Sequence, residues 1–302
     1  MEPIRIHQFV KNYIPPAFRL IYVLATFNLL LGFIFLSINK LTTNYSGVNY
    51  LPTIWIYCMP LIAVLVILAF YIDKQAPRIA FFTQTYGTYF YVFIALATLT
   101  NGVQYTPFAT IDQPLLSFDQ WIGFNTPALM HWTYAHTHFP AVLNAIYESI
   151  GYQMFLVPLL LALLLQRKSI TEYFSIALIT YTIGTLIYYF FPSEGPAMAL
   201  QSPYFTFSEH LTSLKFFDVH HHVPIHTLDG GMIAFPSFHV TWVLILTYAC
   251  RQQWWFVLPI GLLNLCVIAS TLMLGWHYLA DVIGSVIIFG VAVFLSRITS
   301  QP

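Results

Sequence analysis

Charged side chains are scarce in this chain. Of its 302 residues, 11 are Lys or Arg and 11 are Asp or Glu, together 7% of the chain, against about 25% in a typical soluble domain. So few charges cannot cover the surface of a soluble protein or keep a chain disordered, and 58% of the residues are hydrophobic. The zero net charge argues against nucleic acid as a partner, since neutralising phosphates takes clustered Lys and Arg. The composition indicates a protein that crosses a lipid bilayer several times.

Cysteine is also scarce. Cys58, Cys250 and Cys266 all lie in strongly apolar stretches and show no paired spacing. An odd, unpaired set of cysteines provides neither a disulfide framework nor a zinc site. This excludes a secreted disulfide scaffold, and we expect buried free thiols instead.

Long apolar runs dominate what is present. A transmembrane helix needs about 20 apolar residues, and eight stretches qualify or nearly qualify. We therefore predict an all-α fold, a polytopic membrane helical bundle with about eight transmembrane helices. Two N-terminal helices occupy residues 1–78, and a six-helix core occupies residues 79–302, with long loops at 101–140 and 192–235. The predicted spans are residues 18–38, 51–72, 79–100, 141–165, 173–191, 236–250, 254–275 and 278–296.

The basic residues predict an orientation. In the eight-span arrangement nine of them fall on one side, and only Lys40 and Lys215 fall on the other. Basic residues concentrate on the cytoplasmic side of membrane proteins, so both termini are predicted to be cytoplasmic. Ten of the 11 histidines fall on the opposite, non-cytoplasmic face, which is the periplasmic, extracytoplasmic or lumenal side depending on the membrane. Chemistry is expected on that face. The nine basic residues are Arg5, Lys11, Arg19, Lys74, Arg78, Arg167, Lys168, Arg251 and Arg297.

The last two predicted spans meet at a His-Asp pair. His277 and Asp281 are four residues apart, so on a helix they share one face and can touch. A carboxylate on one imidazole nitrogen fixes the tautomer and strengthens the other nitrogen as a nucleophile or base. An Asp that simply caps the start of a helix is the alternative.

The sixth span begins with a second candidate feature. Pro236, Ser237 and His239 indicate a helix start, where free backbone N–H groups favour an anion such as phosphate. Gly230 and Gly231 precede it and would let the backbone approach a ligand closely. A turn followed by an ordinary helix explains the same residues.

These motifs together resemble a known family. Pro-Ser-x-His at residues 236–239 and Ser-x6-His-x3-Asp at 270–281 resemble the later motifs of the type 2 phosphatidic acid phosphatase (PAP2) superfamily, over spans three to eight. The resemblance implies a PAP2-like six-helix catalytic core in which His277 attacks phosphorus, Asp281 orients it and His239 protonates the leaving oxygen. It implies no metal and no other cofactor. The implied substrate is a phospholipid or sphingolipid in the membrane bilayer, and no obligatory protein partner is evident.

The chain departs from the common phosphatase branch of that superfamily at two places. That branch has Lys-x6-Arg-Pro at its first motif and an Arg after the Ser of its third. Here residues 192–196 read Pro-Ser-Glu-Gly-Pro, which includes Glu194 and Gly195, and Thr271 follows Ser270. The pattern instead resembles the inositol phosphorylceramide synthases, the sphingomyelin synthases and their bacterial relatives, in which a lipid phosphoryl headgroup is often moved to an alcohol. Residues 111–124 also resemble the bacterial relatives and are predicted to form a short interfacial helix over the site.

Other polar residues of the outer loops allow two interpretations each. Lys215 could bind phosphate or be a solvated charge. Glu194 could accept a hydrogen bond from an acceptor hydroxyl or have no chemical role. The tract His220–His222 with His226 suggests a metal, but no acidic or Cys partner accompanies it, so we predict no metal site. The remaining substrate-binding candidates are Ser237, Gly230, Gly231, Gly195, Ser270 and Thr271.

The leading hypothesis is a membrane-embedded lipid phosphotransferase or phosphatase that acts through a phosphohistidine at His277. An alcohol acceptor makes the enzyme a transferase and water makes it a phosphatase, and the motif departures favour the transferase. Two alternatives come from other classes. A lipid-binding or lipid-translocating protein would use the same scaffold without covalent chemistry, and a structural membrane subunit would leave the His and Asp residues unexplained.

Overall fold

The computed structural model describes residues 16–51, 53–228 and 230–299. These residues contain twelve helices and no strand. The helices are α1 (Pro16–Thr42), α2 (Thr53–Tyr71), α3 (Pro77–Val103), α4 (Asp112–Trp121), α5 (Thr126–Tyr134), α6 (Phe139–Leu163), α7 (Arg167–Phe190), α8 (Pro196–Ala199), α9 (Phe207–His220), α10 (Phe238–Ala249), α11 (Trp254–Met273) and α12 (Leu279–Thr299).

Six of the described helices are long and apolar enough to cross a membrane. They are α1 from Phe18 onward, α3, α6, α7, α11 and α12. The other two predicted spans correspond to α2 and α10, whose described apolar stretches, Met59–Tyr71 and Phe238–Ala249, are shorter. The prediction of an all-α, multi-pass membrane bundle is confirmed.

The helices pack through large buried side chains and a few close backbone contacts. Tyr173 and Phe174 of α7 and Val243 of α10 are buried in the main core. Helices α1 and α2 both pack on α3, and at Gly32 of α1 an added Cβ would lie 2.7 Å from the Thr98 backbone. Small residues permit such close helix contacts in membranes. The division at residue 78 stays a prediction.

The outward faces of the bundle are apolar. Val23 on α1 is 65% exposed, as is Leu265 on α11. Side chains of this kind, spread along the long helices, match a surface surrounded by lipid. Cys250 is buried as expected, Cys266 is exposed, and the Cys58 side chain lies outside the described residues.

The two long loops contain helices that cover one end of the bundle. The first holds α4 and α5, and the second holds α8 and α9. Helix α4 falls within the segment 111–124 for which a short helix was predicted, and it packs against α8 and the start of α12. The catalytic candidates lie beneath these helices.

Basic residues gather at the other end of the bundle. Arg167 pairs with Asp73 at 2.7 Å, and Arg251 pairs with Glu172 at 2.5 Å. These contacts bring the end of α2, the start of α7 and the end of α10 together. Arg5, His7 and Lys11 lie outside the described residues, and the assignment of this end to the cytoplasm stays a prediction.

Candidate active site

The predicted His-Asp pair is in contact. Nδ1 of His277 lies 3.1 Å from Oδ2 of Asp281, and both side chains are buried. His277 is in the turn before α12 rather than on the helix itself, and the Tyr278 backbone N–H donates to the same Asp281 oxygen at 2.9 Å. An imidazole held by a carboxylate at Nδ1 carries its proton there, which leaves Nε2 as the nucleophilic nitrogen.

Burial decides the charge state of the nucleophile candidate. It lowers the pKa of His277 to about 4, although a hydrogen bond with the Ala234 backbone acts in the opposite direction. The His277 imidazole is therefore neutral near pH 7, which is the form that can attack phosphorus.

His239 lies close to this pair at the start of α10. Ser237 is the N-cap of that helix, and its Oγ accepts a hydrogen bond from the Val240 N–H at 3.3 Å. Pro236 precedes the cap instead of beginning the helix, and His239 is the second helical residue. The ring centroids of His239 and His277 are 6.1 Å apart. One phosphoryl group could therefore be within reach of both imidazoles.

The sequence analysis missed an aromatic partner of His239. The Tyr147 ring stacks on the His239 ring with centroids 4.2 Å apart, and its hydroxyl lies 3.2 Å from His239 Nδ1. Tyr147 also stacks on Trp276, the neighbour of His277, with an interplanar angle of 7°. These contacts orient His239 and leave its Nε2 for a substrate. Nothing in the local pattern distinguishes Tyr147 from the chain's 19 other tyrosines.

Asp112, at the start of α4, binds the loop at residues 192–196, which stands at the position of the first motif of the family. Its carboxylate accepts hydrogen bonds from the Ser193 hydroxyl at 2.9 Å and from the Gly195 N–H at 3.0 Å. The Tyr278 hydroxyl donates to the same carboxylate at 3.2 Å. Asp112 therefore ties the loop that carries Glu194 and Gly195 to the residue that follows His277.

Asp119, further along α4, holds the start of α12. Its two carboxylate oxygens accept from the Leu279 N–H at 2.8 Å and the Ala280 N–H at 2.9 Å. These N–H groups begin a helix and have no partner within it, so Asp119 acts as a cap supplied from another helix. Burial raises the pKa of Asp119 and the two backbone hydrogen bonds lower it. Sequence reasoning singled out segment 111–124 as a whole but neither of its aspartates.

An open cavity of about 560 Å³ lies over the two histidines. Tyr147, Trp276, His239 and His277 form part of its wall, and apolar residues such as Phe216 form another part. Among the described residues that line this cavity, none is Lys or Arg. Its acidic groups are Glu194 and Glu209.

Each of these two glutamates presents a buried oxygen without a hydrogen-bond partner among the described residues, Oε2 of Glu194 and Oε1 of Glu209. Glu209 also forms a capping box with Thr206 at the start of α9. Burial raises the pKa of Glu194 and raises that of Glu209 to about 7. The free oxygens can accept hydrogen bonds from a ligand in the cavity. Glu209 was missed by the sequence analysis.

The other hydroxyl candidates form hydrogen bonds within the bundle. Ser270 and Thr271 donate to the Val267 and Ile268 carbonyls of their own helix, both at 2.7 Å. Ser270, Thr271 and Ser237 are buried and do not line the cavity. Their predicted contacts with substrate stay predictions.

Lys215 is buried rather than solvated. Its ammonium group donates to the Gly230 carbonyl and to the Leu228 carbonyl, the latter at 3.4 Å, and Lys215 does not line the cavity. Gly231 and Gly195 do line it, whereas Gly230, at a φ of 77°, packs against Thr212. Of the two interpretations of Lys215, the solvated charge is wrong, because the ammonium group is buried against backbone carbonyls. The predicted contact of Lys215 with substrate stays a prediction.

The histidines of the tract contact several different side chains. His220 stacks on Phe216 and His221 stacks on Phe217, while His226 contacts Asp218 at 2.9 Å. Within the described part of the chain, no group of three or more His, Cys, Asp or Glu side chains is arranged to hold a metal ion.

Comparisons with known proteins identify the family. No curated protein and no solved structure matches the chain. The sequence pattern of the PAP2 superfamily matches residues 113–295, which is more than half of the chain and includes His239, His277 and Asp281. The chain therefore belongs to the PAP2 superfamily, whose members are in general phosphatases and phosphotransferases.

Proposed function

We propose that the protein is a membrane-embedded enzyme that cleaves a lipid phosphoester through a phosphohistidine at His277. The observation that carries this proposal is the convergence of a carboxylate-held imidazole, His277, and a second imidazole, His239, on one cavity. A binding or translocating protein, or a structural subunit, would need neither a positioned nucleophile nor a positioned acid.

The reaction has two steps. Nε2 of His277 attacks phosphorus, the bond from phosphorus to the leaving oxygen breaks, and His239 gives that oxygen a proton. In the second step His239 takes the proton from an acceptor hydroxyl, whose oxygen attacks phosphorus and releases His277. Asp281 stabilises the charge that His277 gains.

The polarity of the cavity favours headgroup transfer. A phosphomonoester carries about −1.5 to −2 charges near pH 7, and the described lining residues offer no Lys or Arg to meet them. A phosphodiester carries one negative charge and fits this cavity better. The free oxygens of Glu194 and Glu209 would accept hydrogen bonds from the hydroxyls of an alcohol acceptor such as a polyol. An inositol phosphotransferase-like activity on a phospholipid or sphingolipid follows, and a phosphatase using water is the second candidate.

The distribution of basic residues supports the proposed sidedness of the reaction. Arg167, Lys168, Arg251 and Arg297 belong to the end of the bundle opposite His239 and His277. The positive-inside rule assigns their end to the cytoplasm. The catalytic cavity then opens on the non-cytoplasmic face, which is periplasmic, extracytoplasmic or lumenal depending on the membrane, and both termini are cytoplasmic.

The test is to incubate the purified protein with a panel of phospholipids, with and without inositol or ceramide, while free phosphate and new lipids are both followed. A new lipid formed at the expense of phosphate release identifies a transferase. Phosphate release that ignores the added alcohol identifies a phosphatase.

His277→Ala should abolish turnover while the protein stays folded, because it removes the nucleophile. His131→Ala is the matched control, since His131 contacts Tyr204 at 2.8 Å and does not line the cavity. Retained turnover in His277→Ala, or a wild-type protein that binds lipid but forms neither product, would contradict the proposal.

A further inference from the structure

A second cavity lies at the end of the bundle opposite the catalytic site. It is open to solvent, with about 860 Å³ of empty space that includes part of the solvent outside, and it is lined by the start of α7 and the ends of α10 and α12. On α12 alone, Arg297 in this cavity is 16 residues beyond Asp281, which is about 24 Å along a helix. The two cavities are therefore separate sites.

Three cations line this second cavity, and a tyrosine orients two of them. The Arg251 guanidinium lies over the Tyr248 ring, 3.9 Å from its centroid. Arg297 donates to the hydroxyl of the same tyrosine at 3.2 Å. The two guanidinium groups are therefore held near each other before any ligand binds, which reduces the entropy cost of binding an anion between them.

The positive charge of the cavity exceeds its negative charge. Lys168 adds a third cation, and Glu172 is the single carboxylate among the described lining residues. Glu172 is committed to Arg251 at 2.5 Å. Nearby, the charge of Arg167 is offset by Asp73, so the surplus is concentrated in this cavity.

Apolar surface adjoins the cations. Ile176 and Val293 form part of the cavity wall, and Phe294, the next residue on α12, is 63% exposed. A phosphate free in solution needs only the charges, whereas a phospholipid places its phosphate beside apolar chains. We infer that this cavity binds the headgroup phosphate of an anionic phospholipid, with the acyl chains along the outer face of α12.

The test compares lipid binding in the wild type and in the double variant Lys168→Gln/Arg297→Gln. Both side chains are exposed, so the fold should tolerate the change. The full-length protein in detergent is titrated with phosphatidylglycerol or phosphatidylcholine, and bound lipid is counted by native mass spectrometry. The wild type should prefer phosphatidylglycerol. The double variant should bind it roughly thirtyfold more weakly, from about 1 kcal/mol per basic residue at an anionic membrane surface.

Arg78→Gln is the matched control. Arg78 is exposed at the start of α3, close in sequence to the Asp73 that pairs with Arg167, and it does not line the cavity. This variant should keep the wild-type preference. The inference would be overturned if Arg78→Gln lost as much affinity for phosphatidylglycerol as the double variant does, or if the wild type bound the two lipids equally well. Displacement of the bound lipid by millimolar inorganic phosphate would also overturn it. None of these readouts depends on turnover, so failure here is distinct from failure of the proposed function.

Discussion

Replacing Asp119 by Ala tests whether α4 holds the catalytic turn in place. The change removes both acceptors of the Leu279 and Ala280 N–H groups. Losing an N-cap costs about 0.5–2 kcal/mol, and leaving a buried donor unsatisfied costs about 1–3 kcal/mol. Asp119 is 1% exposed, so water cannot easily replace it. We expect a loss of about 2–4 kcal/mol in the free energy of unfolding.

The same substitution should slow the reaction. Helix α12 begins at Leu279, two residues after His277, and carries Asp281. A displacement of about 1 Å at a reacting group can cost on the order of 100-fold in rate. We therefore expect kcat to fall roughly 10- to 100-fold with a smaller change in KM, because the cavity walls formed by α9 are untouched.

Unfolding and turnover of the variants would be measured in the same detergent. Asp119→Asn should be intermediate, since it keeps one acceptor oxygen. Gln120→Ala is the control, because Gln120 is the exposed neighbour on the same helix. If Asp119→Ala unfolds and turns over like the wild type, α4 does not hold the catalytic turn and the reasoning is refuted.

Three further predictions concern the site itself. Tyr147→Phe keeps the ring on His239 but removes the hydroxyl from its Nδ1, so kcat should fall about tenfold and the pH profile should shift; an unchanged profile would limit Tyr147 to packing. Glu209→Gln should reduce transfer to an alcohol more than it reduces hydrolysis. It should also remove any pH dependence of transfer near 7, where burial places the pKa of Glu209. An equal loss of both reactions would contradict a role of Glu209 in acceptor binding. Because burial lowers the pKa of His277 to about 4, the imidazole stays neutral above that pH. In Glu209→Gln, which lacks the titration of Glu209 near 7, turnover should therefore fall on the acid side only near pH 4. An acid limb near 6.5 in that variant, the ordinary value for histidine, would contradict this environment.

Local patterns in the sequence were enough to predict the helical bundle and the contact between His277 and Asp281 at the centre of the candidate site. Apolar runs of about 20 residues predict spanning helices because lipid offers no partner to backbone N–H and C=O groups. The spacing of His277 and Asp281 predicts their contact because four residues make about one turn. In the structure His277 lies just before the helix, yet the contact is made at 3.1 Å.

Only the tertiary structure decided what surrounds that centre. Asp112 meets Tyr278 across 166 positions of sequence, and Tyr147 meets His239 across 92. Such contacts depend on how the helices pack, which no local periodicity encodes. Packing also buried Lys215 among backbone carbonyls and placed Glu209, on a loop helix, in the wall of the catalytic cavity. Hydropathy and spacing determine which segments cross the membrane and which residue types face one another along a helix. The choice of which distant polar groups meet depends on desolvation and hydrogen bonding in the packed bundle.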